Sequence, residues 1–124
     1  SAVSTGLADR GVGALAVALA PVAEDAKRLP WGKERPWRVE THLRVGADGL
    51  IELDLHDLSV PLAVRAVETV LAEAPACGGA TLITGRGRHS GGVSRLREAV
   101  FGVLEARGVA HAGTSAGRVR VVWD

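Results

Sequence analysis

The run Ala80-Thr-Leu-Ile-Thr84 carries no polar alternation, and it lies between two stretches whose apolar residues recur at helical spacing. A short strand without alternation is the pattern of one buried on both faces of a sheet. Before it, Leu62, Ala63, Ala66, Val67, Val70, Leu71 and Ala74 form one stripe over about 61–74, with Arg65, Glu68 and Glu73 facing away. Ser59 is placed to cap that helix, and Pro61 sits in its first turn, where a missing N–H does no harm. Pro75 and Gly78-Gly79 end it. After the run, Val93, Leu96, Val100, Val103 and Leu104 mark a second helix over about 93–107, closed by Gly108. Two short strands, Val109–His111 and Arg118–Trp123, follow, joined by a loop of small residues. Strand, helix, strand, helix, strand predicts an α/β fold of parallel neighbours joined by right-handed crossovers.

Upstream the period is two. Trp37, Val39, Thr41, Leu43 and Val45 alternate with Arg38, Glu40, His42 and Arg44; Gly46-Ala-Asp-Gly49 supplies a turn, and Leu50–His56 returns as a second strand. His42 falls on the polar face of this hairpin and is expected in solvent. Residues 7–29 read as a helix with Leu15, Leu19, Val22, Ala26 and Leu29 inward, kinked or bounded at Pro21. Residues 30–36 read as a linker. The apolar stretch 12–23 superficially resembles the core of a secretory signal, but Asp9 argues against that, and the run is far shorter than the ~20 residues a membrane span needs. A packing arm and a docking element for another macromolecule both fit this N-terminal third.

A chain of 124 residues makes one domain with a single two-layer core. Trp31, Trp37, Trp123 and Phe101 are its only aromatic residues other than histidines, too few for base readout by stacking. The net charge of +1 gives no strong steering field, although Lys27, Arg28, Lys33, Arg35 and Arg38 are bunched, as are Arg86 and Arg88. Cys77 is alone, which excludes a disulfide framework and a cysteine-rich zinc site and fits a reducing, cytoplasmic setting.

Chemistry concentrates in two segments. With Ile51, Leu53 and Leu55 inward, Glu52, Asp54 and His56 share the opposite face. Asp54 and His56 also stand at the carboxyl end of the strand, where open α/β sheets place ligands. The loop Gly85-Arg-Gly-Arg-His-Ser90 leaves the carboxyl end of the next parallel strand, so both segments meet at one rim. Gly85 and Gly87 let backbone N–H groups approach a phosphate, and Arg86 or Arg88 can hold its oxygens bidentately. His56 or His89 can move a proton at neutral pH. Asp54 can orient His56 or ligate a divalent cation, with Glu52 as a possible second acid. So few carboxylates suit phosphodiester cleavage with one metal ion, Mg²⁺ or Mn²⁺, or with none; metal-free cleavage suits RNA, whose 2′-OH is an internal nucleophile.

Leu53-Asp-Leu-His56, an Ala/Val/Leu helix, and Thr84-Gly-Arg-Gly-Arg-His-Ser90 together resemble the Smr (small MutS-related) domain. The resemblance covers about 50–124, within a domain taken as 37–124, and leaves 1–36 as a helical extension and linker. It implies a two-layer α/β sandwich with a βαβαββ-type core, similar to the C-terminal domain of translation initiation factor three. It also implies nucleic-acid binding, often with endonuclease activity on RNA or on structured or nicked DNA. By position, the family's Asp-Leu-His motif falls on Asp54, Leu55 and His56, and its glycine loop on Thr84, Gly85, Arg86 and Gly87, followed by Arg88 and His89. Asp54, His56 and His89 are then the catalytic candidates and Thr84–Arg88 the phosphate cradle. The family commonly has Gly after the motif histidine; here Asp57 adds a side chain and a negative charge. A non-catalytic nucleic-acid or ribosome-binding adaptor using the same cradle is the alternative, and a small-molecule phosphate binder a third. The basic stretch Lys27–Arg38 is the expected contact with RNA or a ribosome.

Overall fold

The computed structural model describes residues 2–73, 78–85, 95–115 and 117–123, with backbone alone described for 2–11. Its elements are α1 (Ala2–Ala26), α2 (Val39–His42), β1 (Leu43–Val45), β2 (Ile51–Asp54), α3 (Val60–Glu73), β3 (Gly79–Ile83), α4 (Arg95–Ala106), β4 (Ala110–Ser115) and β5 (Arg118–Val122). The strands form one mixed sheet in the order β1-β2-β3-β5-β4, giving a mixed α/β architecture.

β2 and β3 are parallel and joined through α3, as the sequence predicts. The second crossover departs from expectation. β5 pairs antiparallel with both β3 and β4, so it separates two strands expected to be neighbours. The small residues of 112–115, expected as a loop, instead extend β4, with an irregularity between Gly113 and Ser115. The Arg97 guanidinium lies over Gly113, in the space a Cβ there would take.

Register separates the two faces of the sheet. Ile51, Leu53, Ala80, Leu82, Val119 and Val121 align across β2, β3 and β5 and are fully buried. They meet Ala63, Ala66, Val67 and Val70 of α3 and Val100 and Leu104 of α4 in one core. Thr81 is buried on the opposite face, flanked in register by the long side chains of Glu52 and Arg120. Ser59 caps α3 weakly through its hydroxyl, Oγ to Leu62 N at 3.5 Å, while its carbonyl accepts from Ala63 N at 2.9 Å.

The N-terminal third packs onto this core. α1 runs through Pro21 without ending there, and Leu15, Leu19, Val22 and Ala26 are buried in the same cluster as the sheet residues. Arg65 of α3 reaches Asp25 of α1 at 2.6 Å. The expected strand over 37–42 is largely absent: the segment turns through α2, and only Leu43–Val45 pair with β2. Val39 and Leu43, four apart, are buried, whereas Thr41 is exposed, which is helical rather than alternating spacing. Among the described residues, no helix is long and apolar enough to cross a membrane.

Candidate functional site

β2 ends at Asp54, and the chain turns through Leu55, His56, Asp57 and Leu58 into α3. Leu55 and Leu58 are buried and anchor the turn, and Leu55 N donates to Ile83 O at 2.8 Å, carrying the β2–β3 ladder one step past the strand. Asp54 and His56 are thereby brought together. His56 Nδ1 lies 2.5 Å from Asp54 Oδ1, which also accepts the backbone N–H of His56 at 3.1 Å. One carboxylate oxygen therefore fixes both the start of the turn and the ring. The His56 side chain is 50% exposed and that of Asp54 27%, so an imidazole backed by a carboxylate faces solvent at the sheet rim.

Glu52 does not join them. Its carboxylate bonds Arg44 Nε at 2.8 Å and lies 4.0 Å from Arg118 Nη1, so the possible second acid is engaged by arginines on the open face.

The beginning of the glycine loop does reach the same rim. Gly85 has φ +82°, and a Cβ there would stand 3.4 Å from His56 Cβ. Thr84 is 3% exposed, and its hydroxyl has no hydrogen-bond partner among the described residues, a costly state for a buried polar atom. Thr84 N donates to Gly117 O at 2.7 Å. Gly117, at φ +80°, is pressed so closely on Gly85 that a Cβ would sit 2.8 Å from its carbonyl carbon and oxygen. Gly117 thus backs Gly85 at the start of the loop, a contact that no local pattern in the sequence signals. Arg86, Gly87, Arg88 and His89 lie outside the described residues, as do Ser90, Pro75 and Cys77.

Three further residues hold the Asp54–Asp57 turn, all from the segment read as linker and strand. Trp37 Nε1 donates to Asp54 O at 2.7 Å, and Trp31 Nε1 donates to Asp57 O at 2.8 Å. His42, expected in solvent, is only 12% exposed at its side chain. It stacks on Trp37 with ring centroids 5.2 Å apart, and its Nδ1 lies within hydrogen-bond distance of Arg38 N, Arg38 O and Thr41 Oγ1. Its Nε2 lies 3.8 Å from Asp57 Oδ2, and the same oxygen lies 3.4 Å from His56 Nε2. The available signal was two tryptophans six residues apart in a chain poor in aromatics.

Part of the basic stretch is neutralised within the arm: Lys27 pairs with Glu24 and Arg28 with Asp25, while Arg35 lies over the Trp31 ring. Among the described residues, no group of three or more His, Cys, Asp and Glu side chains is arranged to hold a metal ion. The oxygens that a divalent cation would seek at this rim are those of Asp54 and Asp57. An open groove of about 660 Å³ lies between α1 and the 37–43 segment; Val12, Val17, Trp37 and Leu43 are among its lining, but Asp54, His56, Thr84 and Gly85 are not.

No family model matches the chain, and no curated protein matches it. Among solved structures, the chain is similar to that titled "Solution structure of the B3BP Smr domain", at 22% identity and a TM-score of 0.41, over 90% of this chain and 97% of that one. The likeness is distant in both sequence and backbone.

Proposed function

We propose that this protein is a nucleic-acid endonuclease of the Smr type, cleaving phosphodiesters at the rim formed by Asp54, His56 and the Gly85 loop. The observation that carries the reading is the 2.5 Å contact between His56 Nδ1 and Asp54 Oδ1, with the ring half-exposed beside Gly85. A carboxylate on one ring nitrogen sets the tautomer and orientation, leaving the other nitrogen as the proton-moving atom. The sequence pairing of Asp-Leu-His with a Gly-Arg-Gly-Arg-His loop supports a phosphate as the group bound there.

In this mechanism His56 moves the proton of the attacking or departing oxygen, and Asp54 orients the ring. Gly85, Arg86, Gly87 and Arg88 cradle the phosphate through backbone N–H groups and guanidinium charge; Thr84, whose N–H is taken by Gly117 O, offers its hydroxyl, and His89 is the second proton carrier. If the reaction uses Mg²⁺ or Mn²⁺, the ion supplies a Lewis acid for the phosphoryl oxygens, and Asp54 and Asp57 are the carboxylates that would hold it. The expected likeness to the C-terminal domain of translation initiation factor three, a cytoplasmic setting, and a ribosome contact through the basic stretch Lys27–Arg38 belong to the same proposal.

One observation favours the second reading, a non-catalytic nucleic-acid or ribosome-binding adaptor: Asp57 Oδ2 stands 3.4 Å from the His56 nitrogen that would do the work. The two readings separate on cleavage of end-labelled single-stranded RNA, duplex DNA and branched DNA, each with EDTA, Mg²⁺ or Mn²⁺. A nuclease cleaves at least one substrate, and Asp54→Ala abolishes that cleavage while binding persists. Salt-sensitive binding without cleavage on the whole panel replaces the nuclease with the adaptor.

A further inference from the structure

Asp57 presents one carboxylate oxygen to two imidazoles. Oδ2 lies 3.4 Å from His56 Nε2 and 3.8 Å from His42 Nε2, so the two ring nitrogens stand within roughly 7 Å of each other. Two N–H···O bonds of about 2.9 Å to one tetrahedral phosphate can span separations up to that bound. Both rings are already fixed from behind: His56 by Asp54 at Nδ1, His42 by the Arg38 backbone, Thr41 and the Trp37 ring. Asp57 is held at its backbone carbonyl by Trp31, and its side chain is 14% exposed.

We propose that His42 and His56 form a notch for a phosphate group, and that Asp57 fills it with the chain's own carboxylate. At 3.4 and 3.8 Å the Asp57 oxygen faces both Nε2 atoms without a hydrogen bond to either. A phosphate oxygen can accept an N–H from His42 Nε2, whose Nδ1 faces the Arg38 N–H, and from His56 Nε2 when that ring carries both protons. Carboxylate and phosphate cannot occupy the notch together, because like charges at contact distance repel strongly where water is partly excluded. The side chain of Asp57 must therefore leave before a phosphate enters. His42 becomes a phosphate-contacting residue supplied by the segment ahead of β1, and Asp57 an internal competitor that weakens anion binding in the native chain. The notch rests on the nuclease reading only for its ligand, which that reading makes a nucleic-acid phosphate.

The test is imidazole-detected NMR of the full chain titrated with inorganic phosphate, comparing wild type with Asp57→Gly, Asp57→Asn and the double variant Asp57→Gly, His42→Gln. Asp57→Gly empties the notch and is expected to bind phosphate at least about tenfold more tightly, the scale of one charge-assisted hydrogen bond released from competition. Shifts should appear on both His42 and His56. Asp57→Asn removes the charge but keeps the volume, so it gains less and covers the case in which the glycine variant is poorly folded. His42→Gln in the glycine background should abolish the gain. Phosphate that shifts neither ring in either Asp57 variant overturns the notch, as does a gain at His56 that ignores His42→Gln. No step of this test depends on cleavage: a cleaving wild type without the gain sinks the notch alone, and the gain without cleavage in any variant sinks the nuclease alone.

Discussion

The indole N–H of Trp37 donates to the backbone carbonyl of Asp54 at 2.7 Å, tying the last residue of β2 to a segment seventeen residues earlier. Trp31 does the same for Asp57, so both ends of the turn that carries His56 are held by tryptophans. The N-terminal segment is part of the support of the site. Trp37→Phe keeps most of the ring volume and removes the donor. It is expected to cost about 1–3 kcal/mol, from the lost hydrogen bond and a small cavity around a side chain 3% exposed. Urea unfolding measures that cost, and cleavage should fall with it because the Asp54 backbone is released.

Leu19 is fully buried in the cluster that contains the sheet residues. Leu19→Ala should cost about 2–5 kcal/mol and leave a single unfolding transition, because α1 melts with the core. A separate early transition would show α1 to be an independent appendage.

Two glycines make an internal contrast. Gly117 has φ +80° and no room for a Cβ against Gly85, so Gly117→Ala should destabilise by about 1–3 kcal/mol and displace the loop at Thr84–Gly85. Gly102 lies within α4 with open space where a Cβ would go. Gly102→Ala should therefore stabilise by about 0.5–1 kcal/mol. Thermal unfolding of the two variants checks both signs.

The hydrogen bond from Arg65 holds the Asp25 carboxyl below the usual carboxylate range, with the charges of Arg65 and Arg28 adding and desolvation opposing. A carboxyl with a lowered folded-state pKa stabilises the fold above its unfolded pKa and loses that contribution as pH falls through the folded value. Asp25→Asn should accordingly lower stability at neutral pH and flatten its decline in acid. Because the pair is exposed, the effect is small and shrinks in high salt. Urea midpoints across acid pH, with and without added salt, measure it.

Local pattern was enough for the elements whose residues obey one period. The stripe of α3, the apolar run of β3 and the alternation of Ile51, Leu53 and Leu55 all stand where periodicity puts them, and the last of these brings Asp54 and His56 to one rim. The segment 37–42 was misread because Trp37, Val39, Thr41 and Leu43 satisfy an alternating template although Val39 and Leu43 are buried at helical spacing. His42 was misread with it, since a side chain on the outside of a strand faces water but one on this turn faces Trp37 and Asp57. The place of β5 between β3 and β4, and the seat of Gly117 on Gly85, are set by long-range pairing, and no local pattern encodes them.

The central claim is that His56, oriented by Asp54, moves a proton during phosphodiester cleavage. Its most direct test is the single-turnover cleavage rate of His56→Ala on the substrate that wild type cuts, with affinity measured in parallel by fluorescence anisotropy. The account predicts a loss of about 10²-fold or more in rate and a much smaller loss of affinity. Cleavage by His56→Ala at the wild-type rate would contradict it.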